Sequence, residues 1–442
     1  MDRLRRADDQ SPKVLIFNTE GNSLKFEVVV PQSPSPHVVQ GRKLLSGVVE
    51  PIGDGAKLSL LENHRRTDSS DVPAENHAAA VKEILNRIDG VGDIALAGPS
   101  GGPRRRSLCR ATLIDDDVIS GIEELDELAP LHNASAGAVI RASRAVLDRS
   151  IPQVAVFDTA FHRTIPDHAR YYALPWEITK RYGIQRFGFH GISHNYLVLR
   201  YAELTQTPLE RTNIITFHLE GGSSATAVLG GKSIDTSMGF TPLEGLMMGT
   251  RSGDLDPALV GFLARKENTT VDEVESLLNK KSGLRGVSGS SADTRELVKD
   301  HGDRANLALE MFAYRVRKYI GAYLAAMNGA AAVVFGGGIG ENTHEVRRRI
   351  CRNLEHLGLL FDEDQNLKVV DREGETTRKG SPLRAFVIPT EEGMMIAHQA
   401  WLHYGSRCHR LSSFNFSRAR DSRPRSSRSD SAWDCRMYRV SS

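Results

Sequence analysis

Cysteine is scarce in this 442-residue chain, which contains only Cys109, Cys351, Cys408 and Cys435. Since none of them forms a Cys-x-x-Cys pair, the sequence predicts neither a structural zinc site nor a disulfide framework, and a reducing compartment fits best. No run of about 18 apolar residues occurs, so we predict no transmembrane helix. The first residues, MDRLRRADDQSP, lack the apolar stretch of a secretory signal. We therefore expect a cytoplasmic protein without a membrane partner.

A large excess of one charge is also lacking. The net charge is +2, but residues 406–442 contain nine arginines and three aspartates, which leaves a net of −4 on the residues before them. This mildly acidic body gives no reason to expect a nucleic acid as a partner. The segment 406–442 is rich in serine and arginine and has no apolar periodicity, so it is predicted to be disordered. It is either a basic interaction arm or a non-native extension.

Two stretches of the chain have the pattern of a β-hairpin. Strands at 13–17 and 24–30 flank a polar turn, and the same layout recurs with strands at 213–217 and 224–229. The strings FNTEGNSLK and FHLEGGSSA agree at four of nine positions. The agreement indicates a duplicated domain, although chance similarity between two hairpins explains it equally well.

Helices alternate with these strands. Apolar residues recur at helical spacing over 117–128 and 306–327, and Thr270 with Glu273 forms a capping box at the start of a further helix. The helix at 306–327 leads into an apolar strand at 330–335. Strands that alternate with helices predict α/β domains.

A glycine cluster, GGGIGEN at 336–342, follows that strand. Glycines let a backbone approach a ligand closely, and the free N–H groups at a helix start bind anions. The cluster is not Gly-x-Gly-x-x-Gly, because Glu341 stands at the third glycine, and the chain has no Walker A loop. Dinucleotide-binding and P-loop folds are thus disfavoured, whereas a nucleotide-binding turn and a purely structural turn both stay open.

Arg251 and Asp158 are two candidate site residues. Arg251 stands among small residues in GLMMGTRSGDLDP, where it either binds an anion or forms a local ion pair with Asp254 or Asp256. Asp158 follows an apolar strand at 154–157, where sites collect in α/β folds, and its alternative role is to cap the next helix.

His190 and His194 lie four residues apart in RFGFHGISHNY, a spacing that invites a metal interpretation. Gly191 between them disfavours a helix and no His-Glu-x-x-His pattern is present, so zinc is disfavoured. A histidine aimed at the charge that develops on a phosphoryl group is the alternative.

Together these segments resemble the acetokinase family of the sugar kinase/Hsp70/actin superfamily. The resemblance covers about residues 13–403 and is carried by VFDTAFHRTIP, YALPWEI, RFGFHGISH, DTSMGFTPLEGLMMGTRSGDLDPAL, SADTR, FGGGIGEN and IPTEE, in the family's order. It implies two duplicated actin/ribonuclease H-like α/β domains with an interdomain cleft. The N-terminal actin-like ATPase domain would span 13–159 plus 389–405, the C-terminal actin-like nucleotide-binding domain 160–388, and the disordered or non-native tail 406–442.

The resemblance also implies a function, namely acetate kinase activity. This is the reversible, Mg²⁺-dependent transfer of a phosphoryl group from ATP to acetate, which gives acetyl phosphate and ADP. Mn²⁺ would be a substitute metal, and the protein would be a homodimer. Two alternatives stay open: a propionate or butyrate kinase, and a catalytically impaired relative that binds nucleotide.

Individual roles follow from the resemblance. Asp158 matches the catalytic aspartate, His190 and Arg251 match the residues that stabilise the transferring phosphoryl group, and Asn18 and Glu392 match the metal site. Because the acetate carboxylate is already a nucleophile, we expect Asp158 to orient Arg251 or a metal-bound water. The residues that match nucleotide-binding segments are Lys25, His218, Leu219, Glu220, Gly221, Gly222, Asp293, Thr294, Arg295, Gly338, Ile339, Gly340, Glu341 and Asn342.

The chain departs from the family pattern at three places. Glu20 and Glu220 stand where the two phosphate loops of the family have glycine, and each carboxylate should repel phosphate by about 1 kcal/mol or more unless it points away or binds the metal. Ala97 stands where the family has an arginine that binds the carboxylate substrate. One set of codons for this stretch, read one base later, encodes PGHRAVHGGE, as in the family. We hypothesise a compensated frameshift over about residues 97–110, which the DNA sequence across these codons tests; the tail is a candidate for a second.

Overall fold

The computed structural model of the protein describes residues 13–20, 22–33, 35–62, 65–88, 111–123, 130–147 and 151–404. The strands in these residues are β1 (Val14–Glu20), β2 (Ser23–Pro31), β3 (Gly41–Glu50), β4 (Lys57–Glu62), β5 (Arg65–Asp71), β6 (Thr112–Leu113), β7 (Val154–Ala155), β8 (Ile214–Leu219), β9 (Ser223–Leu229), β10 (Lys232–Thr236), β11 (Ala332–Gly336), β12 (Gly374–Glu375) and β13 (Arg384–Val387).

The helices that the structure describes are α1 (His77–Arg87), α2 (Asp116–Glu123), α3 (Pro130–Val146), α4 (Asp167–Arg170), α5 (Trp176–Tyr182), α6 (Gly191–Thr205), α7 (Ala258–Lys266), α8 (Val271–Lys280), α9 (Gly283–Ser288), α10 (Thr294–Lys299), α11 (Asp303–Met327), α12 (Gly337–Asn342), α13 (His344–Cys351), α14 (Glu363–Lys368) and α15 (392–404). Short 3₁₀ turns lie at Ala160–Thr164, Leu209–Arg211 and Glu355–Leu357.

Two large sheets organise the fold. The first has the order β1-β2-β3-β4-β5, and each neighbouring pair is antiparallel. The second has the order β10-β9-β8-β11-β13-β12, in which β11 runs parallel to β8 and to β13. Each sheet contains an antiparallel unit of three consecutive strands, β1-β2-β3 and β8-β9-β10. These units contain the two predicted hairpins, and the α/β class is confirmed.

Strand β1 is buried on both faces. Successive side chains of a strand point to opposite sides, and those of β1 enter two different core clusters. Val14 and Ile16 join a core cluster that includes residues of α6 and α15, whereas Leu15 and Phe17 join a second cluster with α1 and α3. Helices α6 and α15 therefore pack against residues of both large sheets. This packing places residue 392, the first of α15, beside β1.

The long helix α11 covers the other face of the second sheet. Its side chains Phe312, Val316 and Ile320 are fully buried in one cluster with Phe217 and Phe335. The rings of Phe217 and Phe335 stack across neighbouring parallel strands with their centroids 5.6 Å apart. Burial of one such ring stabilises the fold by about 2–3 kcal/mol, so this face holds β8 and β11 rigidly where they end at the site.

Most predicted elements are present, with changes at their ends. The capping box at Thr270 is confirmed, and the predicted strand 330–335 is β11. The helix predicted at 306–327 begins earlier, at Asp303. The helix predicted at 117–128 is α2, whose described part ends at Glu123. Within the described residues, no helix has the length and apolar character that crossing a membrane requires.

One local prediction is wrong. We expected Gly191 to disfavour a helix, but α6 begins at this residue. A Cβ at Gly191 would lie 2.0 Å from the carbonyl oxygen of Asp158, so the absence of a side chain is what lets the helix start so close to the preceding chain. The proposed domain boundaries at 159/160 and 388/389 stay predictions.

Candidate active site

A cavity of about 380 Å³ lies between β1 and β2, the turn that joins β8 to β9, α12 and the start of α15. A volume of several hundred Å³ suits a small-molecule ligand. Seven of the residues predicted to bind nucleotide or metal line this cavity, although they come from both ends of the chain. They are Asn18, Lys25, Glu220, Gly338, Glu341, Asn342 and Glu392.

The two predicted metal ligands meet in this cavity. Nδ2 of Asn18 donates a hydrogen bond of 3.1 Å to Oε2 of Glu392. The other carboxylate oxygen of Glu392, Oε1, lies 3.9 Å from Nδ1 of His218. Because Asn18 uses its amide nitrogen in this contact, its amide oxygen is left to act as a ligand.

This pair fits a hard divalent cation. Mg²⁺ prefers oxygen ligands and is usually bound by one or two protein groups, with water and substrate phosphates as the remaining ligands. Asn18 and Glu392 supply two such oxygen donors. Within the part of the chain that the structure describes, no three His, Cys, Asp or Glu side chains are grouped as a metal site. Asn18 and Glu392 therefore fit a cation whose remaining ligands are water and substrate phosphate.

His190, Arg251 and Gly222 surround a second, adjoining space. A Cβ placed on Gly222 would lie 3.4 Å from Nη1 of Arg251 and 3.4 Å from Nε2 of His190. The rings of His190 and His218 lie 4.3 Å apart between centroids, so this space adjoins the group formed by His218 and Glu392. The side-chain-free Gly222 thus leaves room beside a guanidinium and an imidazole nitrogen, an arrangement that suits an anion.

The guanidinium of Arg251 is partly buried without a counter-charge. Its contacts are a long hydrogen bond of 3.4 Å to the carbonyl oxygen of Pro242 and a 3.9 Å contact to Sδ of Met248. Burial lowers the pKa of Arg251. Among the described residues no carboxylate lies within ion-pairing distance of it. Since an unpaired buried cation is unfavourable, this guanidinium favours an anionic ligand.

The ion pair that we considered for Arg251 is therefore wrong. Oδ2 of Asp254 instead lies 3.2 Å from Nη1 of Arg315 and accepts a 2.9 Å hydrogen bond from the hydroxyl of Tyr319. Oδ1 of Asp256 accepts a hydrogen bond from the amide of Ala258 at the start of α7. Both carboxylates hold the loop in place and leave Arg251 unpaired.

Asp158 positions the backbone at the start of α6. Its carboxylate accepts hydrogen bonds from the amides of His190, at 2.5 Å, and Ile192, at 3.2 Å. Burial raises the pKa of Asp158, and these backbone hydrogen bonds oppose the shift. The capping role that we considered was for the next helix in the chain, whereas these hydrogen bonds hold the start of α6, more than 30 residues later. Asp158 fixes where His190 stands.

His190 takes a left-handed backbone conformation, with φ of +56°, where histidine is more frequent than most residues. Burial, and after it the neighbouring His218, His194 and Arg251, hold the pKa of His190 well below its usual range. His190 is therefore neutral near pH 7. The zinc interpretation fails geometrically as well, because both ring nitrogens of His194 are hydrogen-bonded to hydroxyl groups, those of Thr216 and Ser224.

The predicted second phosphate loop is the tight turn between β8 and β9. His218 is buried with its Nδ1 2.8 Å from the hydroxyl of Ser193, and Leu219 is fully buried. The half-exposed carboxylate of Glu220 has Oε2 3.5 Å from Nε2 of His218. Glu220, which stands where the family has glycine, therefore lines the cavity, and its carboxylate lies next to the imidazole of His218. The carbonyl oxygen of Gly221 accepts a 3.1 Å hydrogen bond from the amide of Gly249, which fixes the loop next to the Arg251 segment.

Gly336 of the glycine cluster ends β11, residues 337–342 form the short helix α12, and helix α13 follows at His344. Gly337 has φ of +77°, and a Cβ there would lie 2.7 Å from the carbonyl oxygen of Leu219, so glycine is required for this close approach. Oε1 of Glu341 accepts hydrogen bonds of 2.9 Å from the amide and the hydroxyl of Thr390. Ile339 packs against the core. Helix α12 is thereby fixed to the β8–β9 turn and to the segment before α15.

The predicted ADP-contacting segment lies outside the lining of the cavity. Asp293 caps α10 and pairs with the exposed Arg295, with Oδ2 2.6 Å from Nη2. The hydroxyl of Thr294 lies 3.3 Å from that of Thr343, directly after α12. The segment therefore adjoins the adenosine-side loop that we predicted, but an ADP contact stays a prediction.

Sequence reasoning missed several side chains that support the site. The fully buried Arg347 donates hydrogen bonds of 2.7 and 2.8 Å to the carbonyl oxygens of Gly340 and Glu341, and so holds the end of α12. Arg347 is the first of three consecutive arginines, and nothing in the sequence distinguishes it from its neighbours. Ser193, Thr216 and Thr390 are similarly inconspicuous, because serine and threonine are common in every part of the chain.

Three predictions fall on residues or side chains outside the described part. They concern the carboxylate of Glu20, the altered stretch 97–110 with Ala97, and the tail 406–442.

Comparison with known proteins shows which family the chain is similar to. The model of the acetokinase family matches residues 13–398. The acetate kinase of Chloroherpeton thalassium is 42% identical over 408 residues, covering 88% of this chain and 98% of the relative. That of Halothermothrix orenii is 45% identical over 400 residues, covering 87% and 98%.

Two solved structures are similar along almost their whole length. Acetate kinase from Porphyromonas gingivalis superimposes with a TM-score of 0.79 at 37% identity, covering 88% of this chain and 99% of that structure. A propionate kinase from Francisella tularensis gives 0.79 at 34% identity, with 88% and 98% covered. Sequence and fold therefore agree, and the chain belongs to the acetokinase family.

Proposed function

We propose that this protein is an acetate kinase, which transfers a phosphoryl group reversibly from ATP to acetate and forms acetyl phosphate and ADP. The observation that carries the proposal is the space beside Gly222, where the unpaired Arg251 and Nε2 of His190 meet next to the cavity that Asn18 and Glu392 line. ATP and a divalent metal follow from membership of the family. Relatives at 42–45% identity that are named acetate kinases support acetate as the acceptor.

The residues suit phosphoryl transfer because this reaction needs positioning and charge neutralisation more than covalent catalysis. We assign Mg²⁺, with Mn²⁺ as a substitute, to Asn18 and Glu392; when bound, the cation neutralises phosphate charge. Arg251 binds the oxygens of the transferring group as a fixed cation. His190, which is neutral, donates a hydrogen bond from its ring to the same group.

The acceptor requires no strong base, since a carboxylate is already ionised and nucleophilic near pH 7. The carboxylate of Asp158 accordingly has a structural task in the proposal, which is to hold the His190 amide and with it the imidazole. The nucleotide lies along the cavity, with its phosphates toward the loop 218–222 and its adenosine toward α12.

A coupled assay on the full chain tests the function. Purified protein is mixed with MgATP and with acetate, propionate or butyrate in turn, and the acyl phosphate is trapped with hydroxylamine. We expect acetate to give the highest kcat/KM of the three acceptors, because relatives at 42–45% identity are named acetate kinases. A higher kcat/KM with propionate or butyrate would identify a sibling kinase. Nucleotide binding without any hydroxamate would identify a catalytically impaired relative and contradict the proposal.

The proposal includes a cytoplasmic homodimer. Large apolar side chains are exposed together between residues 171 and 182, and such clusters mark interaction surfaces; they are Tyr171, Leu174, Trp176, Ile178 and Tyr182. We assign this surface to a second copy of the chain. Light scattering on the purified protein should give twice the mass of one chain, and cell fractionation tests the location.

A further inference from the structure

A chain of four side chains runs from the interior of the second sheet to the proposed phosphoryl site. The hydroxyl of Thr216 lies 2.8 Å from Nδ1 of His194, and Nε2 of His194 lies 2.8 Å from the hydroxyl of Ser224. The same hydroxyl of Ser224 lies 2.9 Å from Nδ1 of His190. Thr216, His194 and Ser224 are fully buried. We call these four residues the hydroxyl–histidine chain.

The hydrogen bond between Thr216 and His194 determines which partner is the donor in each hydrogen bond of the chain. Among the described residues, Nδ1 of His194 is the hydrogen-bond partner of its hydroxyl, and no second one is present. If the buried hydroxyl of Thr216 accepted a hydrogen bond from His194, its own hydrogen would lack an acceptor, which is unfavourable. Thr216 therefore donates to Nδ1 of His194.

Each later bond follows from the one before it. Burial holds the pKa of His194 well below its usual range, so the ring carries one proton. Since Nδ1 accepts a hydrogen bond from Thr216, the ring proton is on Nε2, and this N–H donates a hydrogen bond to the oxygen of Ser224. The single O–H of Ser224 in turn donates a hydrogen bond to Nδ1 of His190. The neutral ring of His190 then carries its proton on Nε2.

This direction matters because Nε2 of His190 faces the space beside Gly222 and Arg251. A proton on Nε2 makes the ring a hydrogen-bond donor to a phosphoryl oxygen. With the reverse direction, Nε2 would present a lone pair to a group whose negative charge it must stabilise, and the contact would be repulsive.

We propose that Thr216, His194 and Ser224 are positioning residues that fix His190 in the tautomer with its proton on Nε2, as a donor toward the transferring phosphoryl group. The proposal rests on the proposed function for the identity of the acceptor, but the tautomer itself does not depend on activity.

Nitrogen NMR of the full chain, labelled with ¹⁵N at the histidine rings, measures the tautomer directly and without substrate. Signals are assigned with the variants His190→Gln and His194→Gln. We expect both His190 and His194 to carry their proton on Nε2. A proton on Nδ1 of His190 in the unsubstituted protein would overturn the proposal. If the tautomers are as expected but no acyl phosphate is formed, the proposed function fails while the assignment of the hydroxyl–histidine chain stands.

A matched pair of variants tests the function of the chain. Thr216→Val removes the first donor and keeps the shape, and we expect kcat to fall by about threefold to tenfold, the effect of losing one buried hydrogen bond that biases the tautomer. KM for ATP should change by less than about twofold, because nucleotide binding is not altered. The tautomer of His190 should become mixed. Ser224→Ala, which breaks the same chain at another point, covers the case in which Thr216→Val does not fold.

The control is Thr226→Val. Thr226 lies directly opposite Thr216 on β9 and is equally buried, but its hydroxyl is bonded to that of Thr236 at 3.0 Å and not to a histidine. We expect kcat of this variant to stay within about twofold of the unsubstituted value. In a His190→Gln background, Thr216→Val should lower kcat no further. Equal losses for Thr216→Val and Thr226→Val, or an unchanged His190 tautomer in Thr216→Val, would show that Thr216 is merely structural.

Discussion

Replacement of Arg251 by alanine should lower kcat about 1000-fold, the size of effect seen when a single arginine is removed from a phosphoryl-transfer site. The physical reason is that the guanidinium stands at the space beside Gly222 without a carboxylate partner among the described residues, so its charge is available to the transferring group. KM for ATP should change by less than about threefold, because the interaction develops mainly in the transition state. Steady-state kinetics with acetate and MgATP measure both quantities.

Two further variants make this test specific. Arg251→Lys keeps the charge but loses the planar fork of donors, and we expect it to recover only about tenfold of the lost activity. The control is Arg265→Ala, which removes an exposed arginine from the last turn of α7 and should leave kcat within about twofold. An Arg251→Ala enzyme with near-normal kcat and a raised KM for ATP would contradict this role. It would show that Arg251 binds ATP equally well in the ground state and in the transition state.

Replacement of Glu392 by glutamine should lower kcat/KM for MgATP about 100-fold or more, since the contact of one carboxylate charge with a divalent cation is worth several kcal/mol even at a partly exposed site. The Mg²⁺ concentration for half-maximal activity should rise as well. Glutamine keeps the size of the side chain, so the fold around the 3.1 Å contact to Asn18 is preserved. Activity measured against free Mg²⁺ concentration, and Mn²⁺ binding followed by electron paramagnetic resonance, separate metal affinity from turnover.

The neighbouring residue supplies the control. Glu391 is held by Lys43, whose Nζ lies 2.8 Å from Oε2, and Glu391→Gln should change the Mg²⁺ requirement by less than about threefold. The double variant Asn18→Asp with Glu392→Gln keeps one negative charge and reverses the hydrogen bond between the two residues, so it should recover part of the metal affinity. Equal Mg²⁺ requirements for Glu391→Gln and Glu392→Gln would rule out Glu392 as the metal carboxylate.

The sequence predicted best those parts of the molecule that depend on local pattern. The hairpins β1–β2 and β8–β9, the capping box at Thr270 and the long helix α11 each follow from residues close together in the chain. Helix α6 was the exception, because what permits it to start at Gly191 is a distant contact with the backbone of Asp158.

The site was predictable only through the resemblance. Asn18 and Glu392 are 374 residues apart, and no periodicity or spacing relates them. The pairing of Asp254 was misassigned for a similar reason: its true partner Arg315 lies 61 residues further on, in α11, while Arg251 is nearby in sequence but faces elsewhere. Thr216 and Ser224 could not have been recognised, because the role of a hydroxyl depends on its hydrogen-bond partners, which only the folded arrangement supplies.

The position of Glu392 at the first residue of α15 has a consequence for the synthesis of the protein. Met395, Ile396, Ala397 and Ala400 of this helix pack into the same core cluster as Val14 and Ile16 of β1. A ribosome therefore has to translate almost the whole described chain before β1 can complete this core. Until then the core around β1 is incomplete, and the chain lacks the carboxylate that meets Asn18. The proposed nucleotide site is thus among the last parts of the molecule to form.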